Sequence, residues 1–474
     1  MKKFSRALCL SWILAGVLMC SVPCGAAESS GKSIESIIAR FGSGKFGVHV
    51  VRISDGAVLV DHNGHEPLMP ASNQKIVTSA VVAKRLGFGF KFETLVGMEG
   101  ADLAVVGDLD PTAGDATIAQ NQKADIYTVL DGWAEKLKAA GVKQVGKVIL
   151  RTGIMTGSMY NPDWADRHRR QWYGAPVAGL NFNDNCLDMT FNVEGSKVQP
   201  VISPVDPFIQ IDSKVTHGDK PVWNFQFTSD DGTALSLTGT MTHTSKDPVF
   251  IPYPNPPILY GTVLADRLAK AGIEVKGPVE VSDQPKSSGF KLIASAQVPI
   301  TAAMARANKQ SLNMMAECMF LRAAATPGSP ATWEKAAAVA KGVLVNDYKI
   351  DEKLVNVADG CGLSRTNTVA PAALTTILLA LQNEPDFIDS LAIGGVDGTL
   401  ERRFTKGPSH GRVVGKTGSL DGVSALSGYI LDKSGKPAYA FSILVNGGGG
   451  KGMSPHDLQN SICEELIKAS DTQK

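Results

Sequence analysis

Serine and lysine side chains placed three residues apart offer the first chemical possibility in this chain. The pattern Ser-x-x-Lys occurs at Ser29 and Lys32, at Ser72 and Lys75, and at Ser288 and Lys291. On the first turn of a helix this spacing puts both side chains on one face. A lysine whose pKa is lowered by burial can then take the proton of the serine, which becomes a nucleophile. Taken alone the pattern is weak, because a surface serine near a solvated lysine is common.

The copy at Ser72 is the one that a regular helix follows. Apolar residues recur at helical spacing from Asn73 to Leu86, so Ser72 lies where a loop enters a helix. Before it, the alternating pattern of residues 46–53 and the returning run 57–61 predict a β-hairpin. Ser72 and Lys75 are therefore the candidate nucleophile and base.

Two further motifs follow Ser72 along the chain. Ser311-Leu312-Asn313 lies between two predicted helices, and Lys416-Thr417-Gly418 ends a short predicted strand. Each has an ordinary explanation alone, as a helix cap or a turn. Ser-x-x-Lys, Ser-x-Asn and Lys-Thr-Gly in this order are the signature of penicillin-binding proteins and serine β-lactamases. The combination predicts a serine acyl-transfer site.

Longer segments around these motifs resemble class C penicillin-binding proteins, the D-alanyl-D-alanine carboxypeptidases/endopeptidases of the S13 peptidase family. The segments are PASNQKIVTSAVVAKRLG, YGAPVAGLNFNDN, ANKQSLNMMAE, DGCGLSR, GGVDGTLERRF and GKTGSLDGVSALSGYI. The resemblance runs from about Gly47 to the final strands and includes a long insertion that serine β-lactamases generally lack. It implies cleavage of the D-Ala-D-Ala ends of peptidoglycan peptides, covalent binding of β-lactam antibiotics, and endopeptidase action on cross-linked peptides as a further activity.

The resemblance also implies a role for each catalytic position. Ser72 attacks the carbonyl between the two D-alanines, Lys75 takes its proton, and Ser311 relays a proton to the leaving amine with help from Lys416. Backbone N–H groups of Ser72 and Ser419 form the oxyanion hole, worth about 3 kcal/mol per donor.

Substrate-binding positions follow from the same resemblance. Asn313 is expected to hydrogen-bond the peptide part of the substrate. Lys416, Thr417 and Ser419 are expected to bind its terminal carboxylate through charge and hydroxyl groups, and Gly418 is a further expected substrate-binding residue. Arg365 resembles a family arginine near the substrate side chain, and a structural ion pair is an equal alternative. Cys361 stands where serine is usual and is expected to be a buried neutral thiol without a role.

One segment departs from the family pattern. Relatives that recognise diaminopimelate have an aspartate where this chain has Arg151 and an aromatic residue where it has Met155. The reversed charge predicts repulsion of a cationic side chain, so that an amidated, acylated or cross-linked peptide is preferred. Alternatively, another loop supplies the site for the substrate amine.

No metal or organic cofactor is expected. The chain lacks His-Glu-x-x-His and Gly-x-Ser-x-Gly. Residues 447–452 match a dinucleotide glycine pattern but lack the acidic residue and βαβ unit that such a site needs, so a loop is predicted. The cysteines beyond the N-terminal segment, Cys186, Cys318, Cys361 and Cys463, fit no zinc spacing, and both disulfides and buried free thiols remain open.

The order of elements predicts an α/β fold. A transpeptidase/β-lactamase-like domain, with an antiparallel sheet flanked by helices, is expected over residues 28–90 and 292–474. Residues 91–291 are expected to form β-rich inserted domains, as two nested modules, with one helix over residues 126–140. The Pro-rich stretch 251–258 is expected to be the linker back to the catalytic domain.

The first residues predict an exported protein. Residues 1–27 combine a basic start, an apolar run and small residues, as a cleaved signal peptide does, and no stable membrane span is expected. In a Gram-negative source the compartment would be the periplasm. The formal net charge of +1 gives no reason to expect nucleic acid as a partner. The sequence leaves a homodimer open.

Two other functions fit parts of the pattern. A β-lactamase or esterase on the same scaffold would release a penicilloyl group quickly. A catalytically inactive cell-wall-binding protein would not react with penicillin at all. The insertion argues against the first and the intact motif residues argue against the second, so the carboxypeptidase is the leading interpretation.

Overall fold

The computed structural model describes residues 24–448 and 452–472. Its α-helices are α1 Cys24–Phe41, α2 Gln74–Arg85, α3 Ala116–Asn121, α4 Thr128–Ala139, α5 Pro256–Lys270, α6 Ile300–Lys309, α7 Asn313–Ala324, α8 Trp333–Asn346, α9 Pro371–Leu381, α10 Pro385–Ser390 and α11 Pro455–Thr472. Its strands are β1 Gly44–Arg52, β2 Val58–His62, β3 Lys91–Glu99, β4 Asp102–Val106, β5 Gln144–Val145, β6 Val148–Arg151, β7 Cys186–Glu194, β8 Lys197–Ser203, β9 Gln210–His217, β10 Val222–Phe227, β11 Ala234–Met241, β12 Val249–Pro252, β13 Glu274–Val275, β14 Val279–Ser282, β15 Lys291–Pro299, β16 Val355–Asn356, β17 Thr368–Val369, β18 Ala392–Ile393, β19 Val413–Leu420, β20 Val423–Leu431 and β21 Pro437–Gly448.

Strands from both ends of the chain form one antiparallel sheet, in the order β18-β19-β20-β21-β1-β2. Side chains alternate between its two faces, as the period of a strand requires. Along β21, Phe441 and Ile443 belong to one apolar cluster, whereas Ala440 and Leu444 belong to another. Both faces of this sheet are therefore covered.

Helices cover the two faces of the six-stranded sheet. On the first face, α1 and α11 contribute residues such as Phe41 and Leu466 to the cluster. On the second face, α2, α7 and α9 contribute residues such as Ile76, Met315 and Leu378. The stripe predicted for the Ser72 helix is confirmed, because its apolar side chains are buried in this second cluster.

The segment between β3 and β15 contains further sheets. A five-stranded sheet has the order β14-β6-β4-β3-β15, and two three-stranded sheets have the orders β12-β7-β8 and β10-β11-β9. Helices α4 and α5 pack with them in a separate apolar cluster that includes Trp133 and Tyr260. The predicted α/β class, with an antiparallel sheet flanked by helices and additional β-rich parts, is confirmed.

Two details of this segment were not predicted correctly. The Pro-rich stretch 251–258 is no linker, because β12 ends at Pro252 and α5 begins at Pro256. Proline is well tolerated in the first turn of a helix, where its missing N–H has no partner to lose. The insertion also contains α3 and α5 besides the predicted helix, which corresponds to α4. Strand β15 pairs with β3, so the five-stranded sheet extends past residue 291; the division into domains stays a prediction.

The predicted signal peptide lies mostly outside the described residues. Of its 27 residues, only 24–27 are described, at the start of α1. No helix in the described ranges is long and apolar enough to cross a membrane. The cysteines at 186, 318, 361 and 463 are buried free thiols.

Candidate active site

Ser72 lies in a short 3₁₀ turn, Ala71–Asn73, that leads directly into α2. Ala71 has a φ of 46°, a left-handed conformation that a non-glycine residue rarely adopts. Strain of this kind is frequent where a side chain must be held in a reactive position. The turn leaves Ser72 half-buried at the N-terminal end of α2, about one helical turn before Lys75.

Lys75 lies buried beneath Ser72. Its Nζ is 3.0 Å from Ser72 Oγ, 2.7 Å from Asn313 Oδ1 and 3.0 Å from the carbonyl oxygen of Cys361. A neutral amine has two N–H groups and one lone pair. In that form the two acceptors Asn313 Oδ1 and Cys361 O take the N–H groups, and the lone pair accepts the Ser72 hydroxyl proton.

Burial lowers the pKa of Lys75, and nearby acidic groups oppose this shift. One of them, Glu317, is itself buried close to Asp359, and burial followed by the charge of Asp359 raises the pKa of Glu317 to about 8. Near neutral pH this carboxyl is therefore mostly protonated, which weakens its support for a charged Lys75. Burial therefore shifts Lys75 toward the neutral amine that a general base requires.

Ser311 and Lys416 form a second serine–lysine pair. Lys416 Nζ donates to Ser311 Oγ at 3.0 Å and to the carbonyl oxygen of Thr417 at 2.8 Å. Burial, followed by the charge of Lys75, lowers the pKa of Lys416 well below its usual range. Ser311 has a φ of 63°, another left-handed residue beside the reactive groups.

Asn313 connects the two parts of the site. Its Oδ1 accepts from Lys75, and its Nδ2 donates to the carbonyl oxygen of Tyr173 at 2.8 Å. On the other side, Asn73 Nδ2 donates to the carbonyl oxygen of Lys416 at 2.8 Å, which ties the Ser72 turn to β19. The three motifs are thus joined by direct hydrogen bonds.

Strand β19 runs past Ser72 at very short range. A Cβ atom on Gly418 would lie 2.7 Å from the carbonyl oxygen of Pro70 and 3.1 Å from the backbone nitrogen of Ser72. Only glycine allows this approach. Ser419, the next residue of the strand, lines the same cleft as Ser72. On the same strand, the side chain of Thr417 is hydrogen-bonded to that of Thr399, with 2.7 Å between the two Oγ1 atoms.

A cleft of about 390 Å³ opens over these groups. Its lining residues are Ser72, Arg167, His168, Trp172, Tyr173, Ser311, Asn313, Gly362, Leu363, Arg365, Ser419, Leu420 and Asp421. The predicted Ser72, Ser311, Asn313, Arg365 and Ser419 are among them. Lys75 and Lys416 are buried beneath the residues that line the cleft. Thr417 and Gly418 lie on β19, between Lys416 and Ser419.

Comparison with known proteins identifies the family. Residues 31–466 match the D-Ala-D-Ala carboxypeptidase 3 (S13) family. The chain belongs to this family. D-alanyl-D-alanine carboxypeptidase DacB of Haemophilus influenzae is 25% identical over 415 residues, which cover 83% of this chain and 84% of that protein. The predicted serine-type hydrolase of the S13 family is confirmed.

Solved structures agree in fold. The crystal structure of penicillin binding protein 4 (dacB) from Haemophilus influenzae has a TM-score of 0.75 and 24% identity, covering 92% of this chain and 98% of that one. The same protein complexed with a β-lactam has a TM-score of 0.71 and 23% identity, covering 93% and 99%. The extra sheets of this S13 chain are thus part of a fold seen in a solved relative.

Eight residues that line the cleft of the S13 enzyme were not predicted as site residues. Gly362, Leu363, Leu420 and Asp421 are neighbours of predicted residues, and the other four are Arg167, His168, Trp172 and Tyr173. These four lie in two short 3₁₀ turns, Asp166–Arg170 and Trp172–Gly174, which have no periodic pattern. Tyr173 opens the segment YGAPVAGLNFNDN, which already resembled the family, so that resemblance was the available signal.

Arg365 lies in the wall of the cleft, and its contact with a substrate side chain stays a prediction. Its Nη2 donates to the carbonyl oxygen of Asp421 at 2.8 Å. Within the described ranges no carboxylate forms an ion pair with it, so the structural ion pair considered as its alternative is not found there. Its side chain remains partly exposed and able to contact a substrate.

Arg151 does not line the cleft, contrary to the role considered for it. Its guanidinium pairs with the carboxylate of Glu99 and donates to the carbonyl oxygen of Gln284 at 3.2 Å. Met155 is buried in an apolar cluster. Since Glu99 neutralises the charge of Arg151, direct repulsion of a cationic substrate by this residue is not supported. The alternative, that another loop supplies the site for the substrate amine, stays a prediction.

A buried group of possible metal ligands lies beside Lys75. It consists of Glu317, Asp359 and Cys361, whose donor atoms are close together. Glu317 accepts the N–H groups of Gly360 and Cys361 at 2.9 and 2.7 Å, and Asp359 accepts from Trp164 Nε1 at 2.9 Å. Because protein donors occupy these oxygens, the group supports the Cys361 loop, whose carbonyl oxygen contacts Lys75.

Proposed function

We propose that Ser72 is the nucleophile and Lys75 the general base of this S13 enzyme. The observation that carries the proposal is the environment of Lys75 Nζ, which is buried, 3.0 Å from Ser72 Oγ and flanked by two acceptors. The substrates are peptidoglycan peptides that end in D-Ala-D-Ala. The reaction releases the terminal D-alanine.

Acylation begins when Lys75 removes the hydroxyl proton of Ser72. The oxygen attacks the carbonyl carbon between the two D-alanines, and the negative charge on the carbonyl oxygen is stabilised by the N–H groups of Ser72 and Ser419. The close approach of Gly418 to Ser72 supports this pairing of N–H groups.

Collapse of the tetrahedral intermediate breaks the peptide C–N bond. The leaving amine takes a proton through Ser311, whose hydroxyl is hydrogen-bonded to Lys416 Nζ. Lys416, Thr417, Gly418 and Ser419 hold the carboxylate of the departing D-alanine, and Asn313 holds the peptide. Water then hydrolyses the ester of Ser72, and neither metal nor organic cofactor takes part.

The same attack opens a β-lactam ring. Its amide nitrogen stays attached to the acyl group after the C–N bond breaks, so no leaving group departs from the cleft. Penicillin binding protein 4 of Haemophilus influenzae, which shares this fold, has been crystallised with a β-lactam. We therefore expect β-lactam antibiotics to acylate Ser72.

A second cavity favours action on longer, cross-linked peptides as well. It has a volume of about 240 Å³ and shares Trp172 and Asn313 with the catalytic cleft. A peptide bound along Asn313 therefore has room on both sides of this residue. Endopeptidase cleavage of cross-links would use the same Ser72. Such substrates fit an exported enzyme, as residues 1–27 predict.

The function is tested by D-alanine release from a peptide ending in D-Ala-D-Ala, with the same peptide ending in D-Ala-L-Ala for comparison. We expect release from the first peptide alone, and at least about 10³-fold less release by Ser72→Ala. Ser288→Ala is the matched control, because Ser288 belongs to another Ser-x-x-Lys pattern and is exposed. Equal release by Ser72→Ala and the wild type would reject the proposal.

A further inference from the structure

A group of metal-ligand residues lies outside the catalytic cleft, next to the hairpin that precedes Ser72. His49 is on β1, Asp61 is on β2, and His65 is in the loop after β2. One donor atom from each lies within 4.8 Å of the others. None of the three residues lines the cleft over Ser72.

One ring nitrogen of His49 contacts a neighbouring side chain, which leaves the other for a ligand. Its Nδ1 is 2.7 Å from Thr375 Oγ1. When the Thr375 hydroxyl donates to the carbonyl oxygen of Ala372, at 3.0 Å, it accepts from His49 Nδ1. In this tautomer His49 carries its proton on Nδ1 and has its lone pair on Nε2.

Asp61 and His65 complete the group in a suitable geometry. Asp61 Oδ1 accepts the N–H group of Gly64 at 3.0 Å, which leaves Oδ2 available at 3.5 Å from His65 Nε2. Ligands at about 2.05 Å around a tetrahedral ion lie about 3.4 Å apart, close to this separation.

Gly64 makes the close packing of this group possible. A Cβ atom there would lie 2.3 Å from Asp61 Oδ1 and 2.8 Å from His49 Cδ2. The same contacts place Gly64 against both the Asp61 carboxylate and His49 Cδ2, the ring carbon that is bonded to Nε2.

We propose that His49 Nε2, His65 Nε2 and Asp61 Oδ2 bind a divalent transition-metal ion of the zinc type. Two imidazoles and one carboxylate suit such an ion better than Ca²⁺ or Mg²⁺, which prefer oxygen ligands. The hydrogen bond from His49 Nδ1 to Thr375 is the outer support that metal-binding histidines usually have. Asp61 and His65 are exposed, so water completes the coordination.

Bound metal would connect β1, β2 and the loop that leads toward Ser72. That loop already bonds to the rest of the domain, because Gly64 O accepts from Ala372 N at 2.8 Å and Leu68 N donates to Val369 O at 3.2 Å. The ion therefore adds stability to this region. It lies outside the cleft and leaves the chemistry at Ser72 unchanged.

The test is equilibrium dialysis of the EDTA-treated mature enzyme against Zn²⁺, with bound metal measured by mass spectrometry. We expect one zinc ion per chain, and an affinity at least about tenfold lower in His65→Ala and in Asp61→Asn. Both residues are exposed, so these variants should fold. His62→Ala is the matched control, since His62 is in the same hairpin and stacks on Phe46 instead.

Two results would overturn the metal site. One is zinc binding that His65→Ala and Asp61→Asn leave unchanged; the other is equal loss of binding in His62→Ala. D-alanine release measured with and without Zn²⁺ should be the same, which keeps this test separate from the test of Ser72.

Discussion

Two lysines are buried almost completely in this site. Lys75 is 1% exposed and Lys416 is 0% exposed, and burial is the main reason why the pKa of each is lowered. The charge of Lys75 lowers the pKa of Lys416 further. Having both lysines charged is therefore unfavourable. In the proposed acylation Ser72 gives up one proton and the leaving amine takes one, so the step needs no net proton from solvent.

The first prediction concerns the charge of Lys75. Acylation by penicillin should become faster as the pH rises through the lowered pKa of Lys75, because only the neutral amine accepts the proton of Ser72. Lys75→Met should lose about 10²- to 10⁴-fold in acylation rate and most of this pH dependence. Stopped-flow measurement with a fluorescent penicillin between pH 5 and 9 checks both points. A Lys75→Met variant with the wild-type acylation rate and pH dependence would contradict the role of Lys75.

The second prediction concerns Glu317. Its pKa is raised to about 8 from a model-peptide value of 4.5, so the folded state keeps a proton that the unfolded chain releases. Between these pH values its contribution to the free energy of unfolding decreases as pH rises, by up to about 1.4 kcal/mol per pH unit. Urea unfolding from pH 4.5 to 8 should therefore show a steeper loss of stability in the wild type than in Glu317→Gln. Parallel curves would show that Glu317 is not protonated in the folded enzyme.

At the scale of the elements, the close approach of β19 to the Ser72 turn positions the backbone groups of the proposed oxyanion hole. Gly418→Ala should lower kcat/KM for D-alanine release by about 10²-fold or more, because its Cβ atom would displace the Ser72 N–H group from the oxyanion position. Gly132→Ala in α4 is the control, since its Cβ atom would contact nothing within 4 Å. Activity of Gly418→Ala equal to that of this control would contradict the proposed oxyanion hole.

The elements that carry motifs could be predicted from the sequence. Regular apolar spacing or a strand pattern marks three of them: the Ser72 helix, the helix after Ser311 and the strand of Lys416. The predicted bounds of each differ from the observed bounds by a few residues. The 3₁₀ turns that bring Arg167, His168 and Trp172 into the cleft have no period, so only tertiary contacts define them. Helix α5 was missed because its initial prolines resemble a linker.

At the scale of the whole molecule, the fold explains how distant motifs meet. Pairing of β1 with β21 places the N-terminal hairpin in the same sheet as β19, and Ser72 follows that hairpin closely. Helix α7 packs against α2 and brings Asn313 to Lys75. The order of the three motifs predicted which residues form the candidate site. The interactions of Arg151 with Glu99 and of Lys75 with Glu317 are visible only in the folded structure. Sequence spacing gives no information on such long-range pairs.

The intact mass of the mature protein after incubation with benzylpenicillin tests the central claim most directly. The account predicts a single long-lived adduct with the mass of the drug, present in the wild type and Ser288→Ala and absent in Ser72→Ala. An adduct that persists in Ser72→Ala would place the nucleophile elsewhere. Rapid loss of the adduct with hydrolysis of the drug would indicate a β-lactamase, and a folded wild type without adduct or D-alanine release would contradict the account.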